Sequence, residues 1–266
     1  MLVQATNRLR QASARRRSKH LFNRAKAVLA TSRLLLERGC RVALFGQKLV
    51  NVESAAQALC QDFGSERVFA RAVDLGEPAQ ITSFFRELDD CWGRADILVC
   101  NAGISPKGLN GPTPLQEITL QEWNTVLSVN LTGTMLCCQA VLPGMSAQGF
   151  GRVVLVGSIA GRALPRIAGT AYVTSKAALA GFARSLVPRY AAVGITVNVV
   201  APGRIATEMA GPRDSAVNRA AVARIPAGRM GEPEEVAAAI GFLTSDTAAF
   251  INGAIIDVNG GEYAPL

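Results

Sequence analysis

From Arg41 onward, short runs of β-branched and apolar residues alternate with segments of helical period. The runs are Val42–Phe45, Val68–Val73, Ile97–Cys100, Val153–Val156, Thr196–Val200 and Ala254–Val258. They are nearly continuous apolar stretches instead of in–out alternations, as expected of parallel strands covered on both faces. Between them, helices are predicted at about 50–62, 78–92, 119–145, 170–192 and 233–245. Thr119 with Glu122 reads as a capping box, and Glu232-Pro233-Glu234-Glu235 places a proline and acids in a first helical turn. The pattern predicts one α/β domain built as a doubly wound parallel sheet.

Charge changes the picture at one end only. Of the 28 Lys and Arg, nine lie before Glu37: Arg8, Arg10, Arg15, Arg16, Arg17, Lys19, Arg24, Lys26 and Arg33. No acid accompanies them, which leaves a near-neutral body of 19 basic and 20 acidic residues. The pI of about 9.6 therefore describes residues 1–36, an atypical basic arm, and not the domain expected over 37–266. The single histidine, His20, lies in that arm, which argues against histidine-dependent hydrolysis or a multi-histidine metal site in the body. Six scattered cysteines without a C-x-x-C pair read as reduced core thiols of a cytoplasmic protein. No run reaches 18 uninterrupted apolar residues, so no membrane span is expected.

In open parallel sheets the ligand lies beyond the carboxyl ends of the strands. Small, polar or turn-forming residues follow four of them: Asp74, then Asn101-Ala102-Gly103, then Gly157-Ser158, then Ala201-Pro202-Gly203. Tyr172 and Lys176 are four residues apart in a helical segment and so share a face. An ammonium there favours the phenolate and lowers a pKa that is otherwise about 10. Such a pair also occurs on solvated helix surface; Ser158 at a strand end, able to hold a carbonyl oxygen beside the phenol, favours a site. Asn130 reads either as a surface amide or as the acceptor of the sequon Asn130-Leu131-Thr132 in a secreted chain.

Together these residues, in this order, resemble the short-chain dehydrogenase/reductase family over roughly residues 39–266, most closely its 3-oxoacyl-acyl-carrier-protein reductase and polyol dehydrogenase branches. The resemblance implies a Rossmann-like fold and an NAD(P)-dependent oxidoreductase acting on a small carbonyl or alcohol substrate. It implies a catalytic set of Asn130, Ser158, Tyr172 and Lys176, with Tyr172 as general acid/base and Ser158 positioning the substrate oxygen. Lys176 would lower the tyrosine pKa and hold the nicotinamide ribose, and Asn130 would anchor a water relay. The implied cofactor contacts are Asp74, Asn101, Ala102, Gly103, Tyr172, Lys176, Pro202, Gly203, Ile205 and Thr207. A homotetramer or homodimer is implied, through the helices at 119–145 and 170–192 and the last strand. Segments 104–115 and 204–230, including Met209, Arg213, Arg224 and Met230, are expected to shape specificity.

The departure is at the start. The family's glycine-rich phosphate turn is absent: no glycine precedes Gly39, and its three positions fall at Phe22, Lys26 and Val28. Residues 1–20 lack a convincing apolar strand. A frameshift or altered start that replaced the first strand–helix unit is the favoured explanation, ahead of an organellar presequence or a divergent non-catalytic member. After Phe45 stand Gly46-Gln47, without the Asp that would favour NAD, so NADP is preferred over NAD. The competing expectations are a silent dehydrogenase-like scaffold and a binder of nucleic acid through the arm, the latter argued against by the neutral body.

Overall fold

A computed structural model describes residues 2–6, 26–108 and 111–265. Its centre is a seven-stranded sheet of β1 (Leu2–Thr6), β2 (Arg41–Gly46), β3 (Val68–Ala72), β4 (Ile97–Cys100), β5 (Gly151–Val156), β6 (Ile195–Pro202) and β7 (Ile255–Val258), in the order β3-β2-β1-β4-β5-β6-β7. Strands β2 to β7 are mutually parallel. The helices are α1 (Lys26–Glu37), α2 (Leu49–Phe63), α3 (Pro78–Trp92), α4 (Leu120–Leu127), α5 (Gly133–Gln148), α6 (Thr170–Tyr190), α7 (Ala216–Val222) and α8 (Pro233–Leu243).

Because both sheet faces are covered, β4 and β5 are buried at every residue. One face packs Phe45, Leu98, Cys100 and Leu155 against Phe84 and Leu88 of α3, Leu142 and Met145 of α5 and Leu179 of α6. Phe45 and Phe84 meet edge to face with centroids 4.7 Å apart. The other face packs Leu44, Val99 and Val154 against Leu35 and Leu36 of α1, Leu59 of α2 and Ile240 and Leu243 of α8. The stretch Leu120–Gln148 is long and apolar enough to cross a membrane on length and composition. Here it is a core element, with Cys137, Cys138, Val141, Leu142 and Met145 all buried.

The first strand departs from expectation. A strand does form at Leu2–Thr6, and it takes the central slot between β2 and β4, antiparallel to both. Its register sets Leu2 beside Phe45 and Cys100, at the carboxyl edge of the sheet, and Thr6 beside Arg41, at the opposite edge. A parallel first strand would deliver the chain directly to the ligand edge and a phosphate turn; this one runs away from it. Phe22 and the arginines at 8–24 lie outside the described residues. Helix α1 packs closely on α8: Leu34 sits over Gly241, where an added Cβ would come within 2.5 Å of Leu34 Cδ2, and Arg38 donates to the Gly241 carbonyl. The expected boundary between residues 36 and 37 thus falls inside the last turn of α1.

Both expected helix starts form, with their caps arranged differently. At α4 only half of the expected box is made: the Thr119 hydroxyl accepts from the Glu122 amide at 3.0 Å, while the Glu122 carboxylate accepts from Thr113 Oγ1; the reciprocal box is at α8, between Glu232 and Glu235. The predicted helix at 119–145 is interrupted, however, by a π turn at Ser128–Thr132 that carries Asn130. Such widened turns recur at functional sites.

Candidate active site

A cleft of about 960 Å³ opens at the carboxyl ends of β4, β5 and β6. Asn101, Ala102, Gly103, Ser158, Tyr172, Lys176, Pro202, Gly203, Ile205 and Thr207 all line it. Ten of the residues picked from sequence are therefore brought together. Two are not in its wall: Asn130 lies behind it and Asp74 lies beside it.

Ser158 follows β5 and its Oγ accepts from the Ala160 amide at 3.1 Å. The same hydroxyl acts on the phenol of Tyr172, whose pKa it lowers. Tyr172 and Lys176 occupy successive turns of α6, with Lys176 Nζ 5.8 Å from the Tyr172 ring centroid. The Lys176 side chain is 6 % exposed, and Nζ donates to the Val156 carbonyl at 2.8 Å. No carboxylate neutralises it among the described residues, and burial pulls its pKa down from 10.5 to about 8.

Burial of the Tyr172 hydroxyl pushes its pKa above 10, and the Ser158 hydroxyl pulls it partly back. Lys176 Nζ is held at the Val156 carbonyl, 5.8 Å from the centre of the Tyr172 ring.

Asn130 is fully buried, which rules out both the surface amide and an accessible sequon acceptor. Its Oδ1 accepts from the Ile104 amide at 2.8 Å; its Nδ2 donates to the Ile104 carbonyl and to Ser175 Oγ, each at 3.0 Å. Asn130 thus pins the segment after Gly103. Ser175, missed in the sequence, donates in turn to the Tyr172 carbonyl at 2.7 Å, so one chain of bonds links Ile104 to α6. Gly103 is needed for close approach: a Cβ there would lie 3.2 Å from Lys176 Nζ and 3.6 Å from Asn130 Oδ1.

Asp74 follows β3. Its Oδ1 accepts from Gly76 N and its Oδ2 from Gln47 Nε2, each at 2.8 Å. It therefore joins the ends of β2 and β3 at the edge of the sheet. Of the specificity candidates, Met209 and Arg224 line the cleft, whereas Arg213 forms a surface ion pair with Glu232 at 2.7 Å and Met230 is buried elsewhere. Arg204, Glu262 and Tyr263 line the cleft without having been singled out in the sequence.

A family profile described as Enoyl-(Acyl carrier protein) reductase matches residues 28–262. The chain belongs to the short-chain dehydrogenase/reductase family. It is 40 % identical over 236 residues to the cis-4-hydroxycyclohexanecarboxylate dehydrogenase of Sinomonas cyclohexanicum, covering 88 % of this chain and 91 % of that one. A 3-oxoacyl-[acyl-carrier protein] reductase from Brucella melitensis, solved with bound NAD, superposes with a TM-score of 0.82 at 32 % identity, over 90 % of this chain and 87 % of that one. A protein from a metagenomic library, titled a blue fluorescent protein and solved in complex with NADPH, gives 0.83 at 31 % identity, over 90 % and 94 %. These relatives of the short-chain dehydrogenase/reductase include oxidoreductases and proteins solved with either nicotinamide dinucleotide.

The residues present fit the nicotinamide end of such a dinucleotide. Lys176 has one acceptor for its three N–H donors and no counter-charge, which suits ribose hydroxyls. Gly103 keeps open the space beside it. At the phosphate end the family's glycines are missing from the sequence, and Lys26, Ala27 and Val28 of the first turn of α1 line the cleft in their place. The Lys26 ammonium there is suited to an anion.

Proposed function

We propose that this short-chain dehydrogenase/reductase interconverts a carbonyl and a secondary alcohol, with Tyr172 as the proton donor and acceptor. The observation that carries the reading is Ser158 and Tyr172 together in the cleft wall, one helical turn from a buried ammonium that has no carboxylate partner among the described residues. The bound nicotinamide dinucleotide supplies or accepts the hydride at the carbon being reduced or oxidised. The chain's own groups do the rest. Ser158 Oγ holds the substrate oxygen at the phenol, and Tyr172 gives it a proton during reduction or takes one during oxidation. The Ser175–Asn130–Ile104 bonds fix α6 against the loop that borders the cofactor, which limits motion of the reacting groups.

NADP is favoured over NAD. The end of β2 carries no acid to hold ribose hydroxyls, Asp74 is occupied by Gln47, and Lys48, at the start of α2, supplies a cation at that end for a 2′-phosphate. Buried free thiols at Cys40, Cys100, Cys137 and Cys138 favour a reducing, cytoplasmic setting. Exposed apolar side chains at Leu120 and Met135, and at Phe242 and Phe250, support homodimer or homotetramer contacts through α4–α5 and near β7. Purified full-length chain should bind NADPH in calorimetric titration and oxidise it in the presence of a ketone. A chain that binds neither NADPH nor NADH would instead be the silent scaffold.

A further inference from the structure

The substrate side of the cleft carries more positive than negative charge. Lys107, Arg166, Arg204 and Arg224 face Glu208 and Glu262 there, on segments that follow β4, β5 and β6 and near the C-terminus. Arg204 stands apart in how it is held. It follows Gly203 at the end of β6, and its backbone is fixed on both sides: Gly231 N donates to the Arg204 carbonyl at 3.0 Å, and Ala206 N donates to the Gly231 carbonyl at 2.9 Å.

Its guanidinium is aimed as firmly. Nε donates to Asn218 Oδ1 at 2.7 Å and Nη2 to the Ala210 carbonyl at 2.8 Å. Asn218 is fully buried and is itself anchored, its Nδ2 donating to the carbonyls of Ala210 and Pro212. These partners are neutral. Among the described residues no carboxylate lies within 4.0 Å of Arg204. Glu262 acts on it only from a distance and is shared with Arg224, whose Nη2 is 3.9 Å from Glu262 Oε1. A half-buried guanidinium with a locked plane and no contact anion is an anion-binding group waiting for its partner, and a carboxylate matches the fork geometry. Around it, Leu164 and Met209 give the cleft apolar walls that suit a hydrocarbon body.

We propose that Arg204, oriented by Asn218, binds the carboxylate of a hydroxy or oxo acid whose carbinol or carbonyl group lies at Ser158 and Tyr172. This rests on the reading of Ser158 and Tyr172 as the reacting end. Arg224 adds charge behind the contact, and Glu262 moderates it.

The test compares 4-oxocyclohexanecarboxylate and 4-oxopentanoate with their methyl esters, in NADPH- or NADH-dependent reduction by the full chain. The acids should exceed the esters in kcat/KM by about tenfold or more, as a charge-assisted contact provides. Arg204→Gln, whose amide nitrogen stands where Nε stood and keeps a donor for Asn218 Oδ1, should remove that preference by raising KM for the acids far more than for the esters. Arg204→Lys should keep part of the preference. Glu262→Gln should lower KM for the acids alone, a change that a merely structural Arg204 would not produce. Equal use of acid and ester by the wild type, or an equal loss of both in Arg204→Gln, overturns the proposal while leaving the carbonyl chemistry intact. If no ketone is turned over, the functional reading fails, and calorimetric titration of cyclohexanecarboxylate decides this one separately. Binding that Arg204→Gln abolishes sustains it, and no binding overturns it.

Discussion

Replacing Lys176 by Met should destroy turnover and yet make the protein without cofactor more stable. The ammonium is 6 % exposed and its pKa falls from 10.5 to about 8 on burial. At about 1.4 kcal/mol per unit, holding it charged at neutral pH costs about 3 kcal/mol. Met fills a similar volume without charge but leaves the Val156 carbonyl without its side-chain donor, a loss of about 1 to 2 kcal/mol. The net expectation is a gain of about 1 to 2 kcal/mol at pH 7. The pH dependence has a definite sign. Because the folded pKa is the lower one, the unfolded chain holds the proton more tightly, so the wild type gains stability as pH rises from about 8 towards 10.5. The advantage of Lys176→Met should therefore vanish near pH 9.5. Urea unfolding of both proteins at one protein concentration, at pH 7 and about pH 9.5, measures this. A Lys176→Met variant less stable than wild type at pH 7, or a difference that does not change with pH, would refute the reasoning.

The raised pKa of Tyr172 keeps the phenol protonated at neutral pH, so carbonyl reduction should be level there and fall in the alkaline range, while alcohol oxidation should rise with pH; initial rates in both directions check it. Ser175→Ala removes the acceptor of one Asn130 N–H and the donor to the Tyr172 carbonyl. It should cost about 1 to 3 kcal/mol in urea unfolding and lower kcat more than it raises KM, because the helix that carries Tyr172 is loosened. Gly161→Ala would bring a Cβ within 2.6 Å of the Ala177 backbone N on α6. A fall in melting temperature together with a loss of activity is expected, since the α6 backbone cannot yield as a flexible side chain would.

Much of the fold was legible because parallel strands buried on both faces have a strong signature: Val42–Phe45 and Val153–Val156 are apolar throughout and are buried throughout. The central strand was not. Leu2–Thr6 is short, with Gln4 at its middle, and its place comes from pairing with β2 and β4, which lie far along the chain. The π turn was equally silent, since Val129 and Leu131 around Asn130 continue the apolar period of an ordinary helix. In the site, the strand ends and the Tyr172–Lys176 spacing were enough to assemble the cleft wall. Ser175 was invisible because its role depends on a partner 45 residues away in sequence, and Arg204, though inside the segment expected to shape specificity, did not stand out because Asn218, which orients it, is 14 residues on. The contact that holds the Lys176 ammonium was equally hidden: helical spacing places it on the face of Tyr172, but its acceptor is the Val156 carbonyl, 20 residues upstream.

The most direct test of the account is turnover by Tyr172→Phe. The substitution removes one hydroxyl and leaves the ring, Lys176 and the cleft in place. The variant should bind NADPH or NADH with unchanged affinity, unfold at the wild-type urea concentration within error, and reduce ketones at least about a hundredfold more slowly, in keeping with the loss of a proton-transferring group. Reduction at the wild-type rate by a folded, cofactor-binding Tyr172→Phe protein would contradict the assignment of the proton to Tyr172, and with it the proposed chemistry of the site.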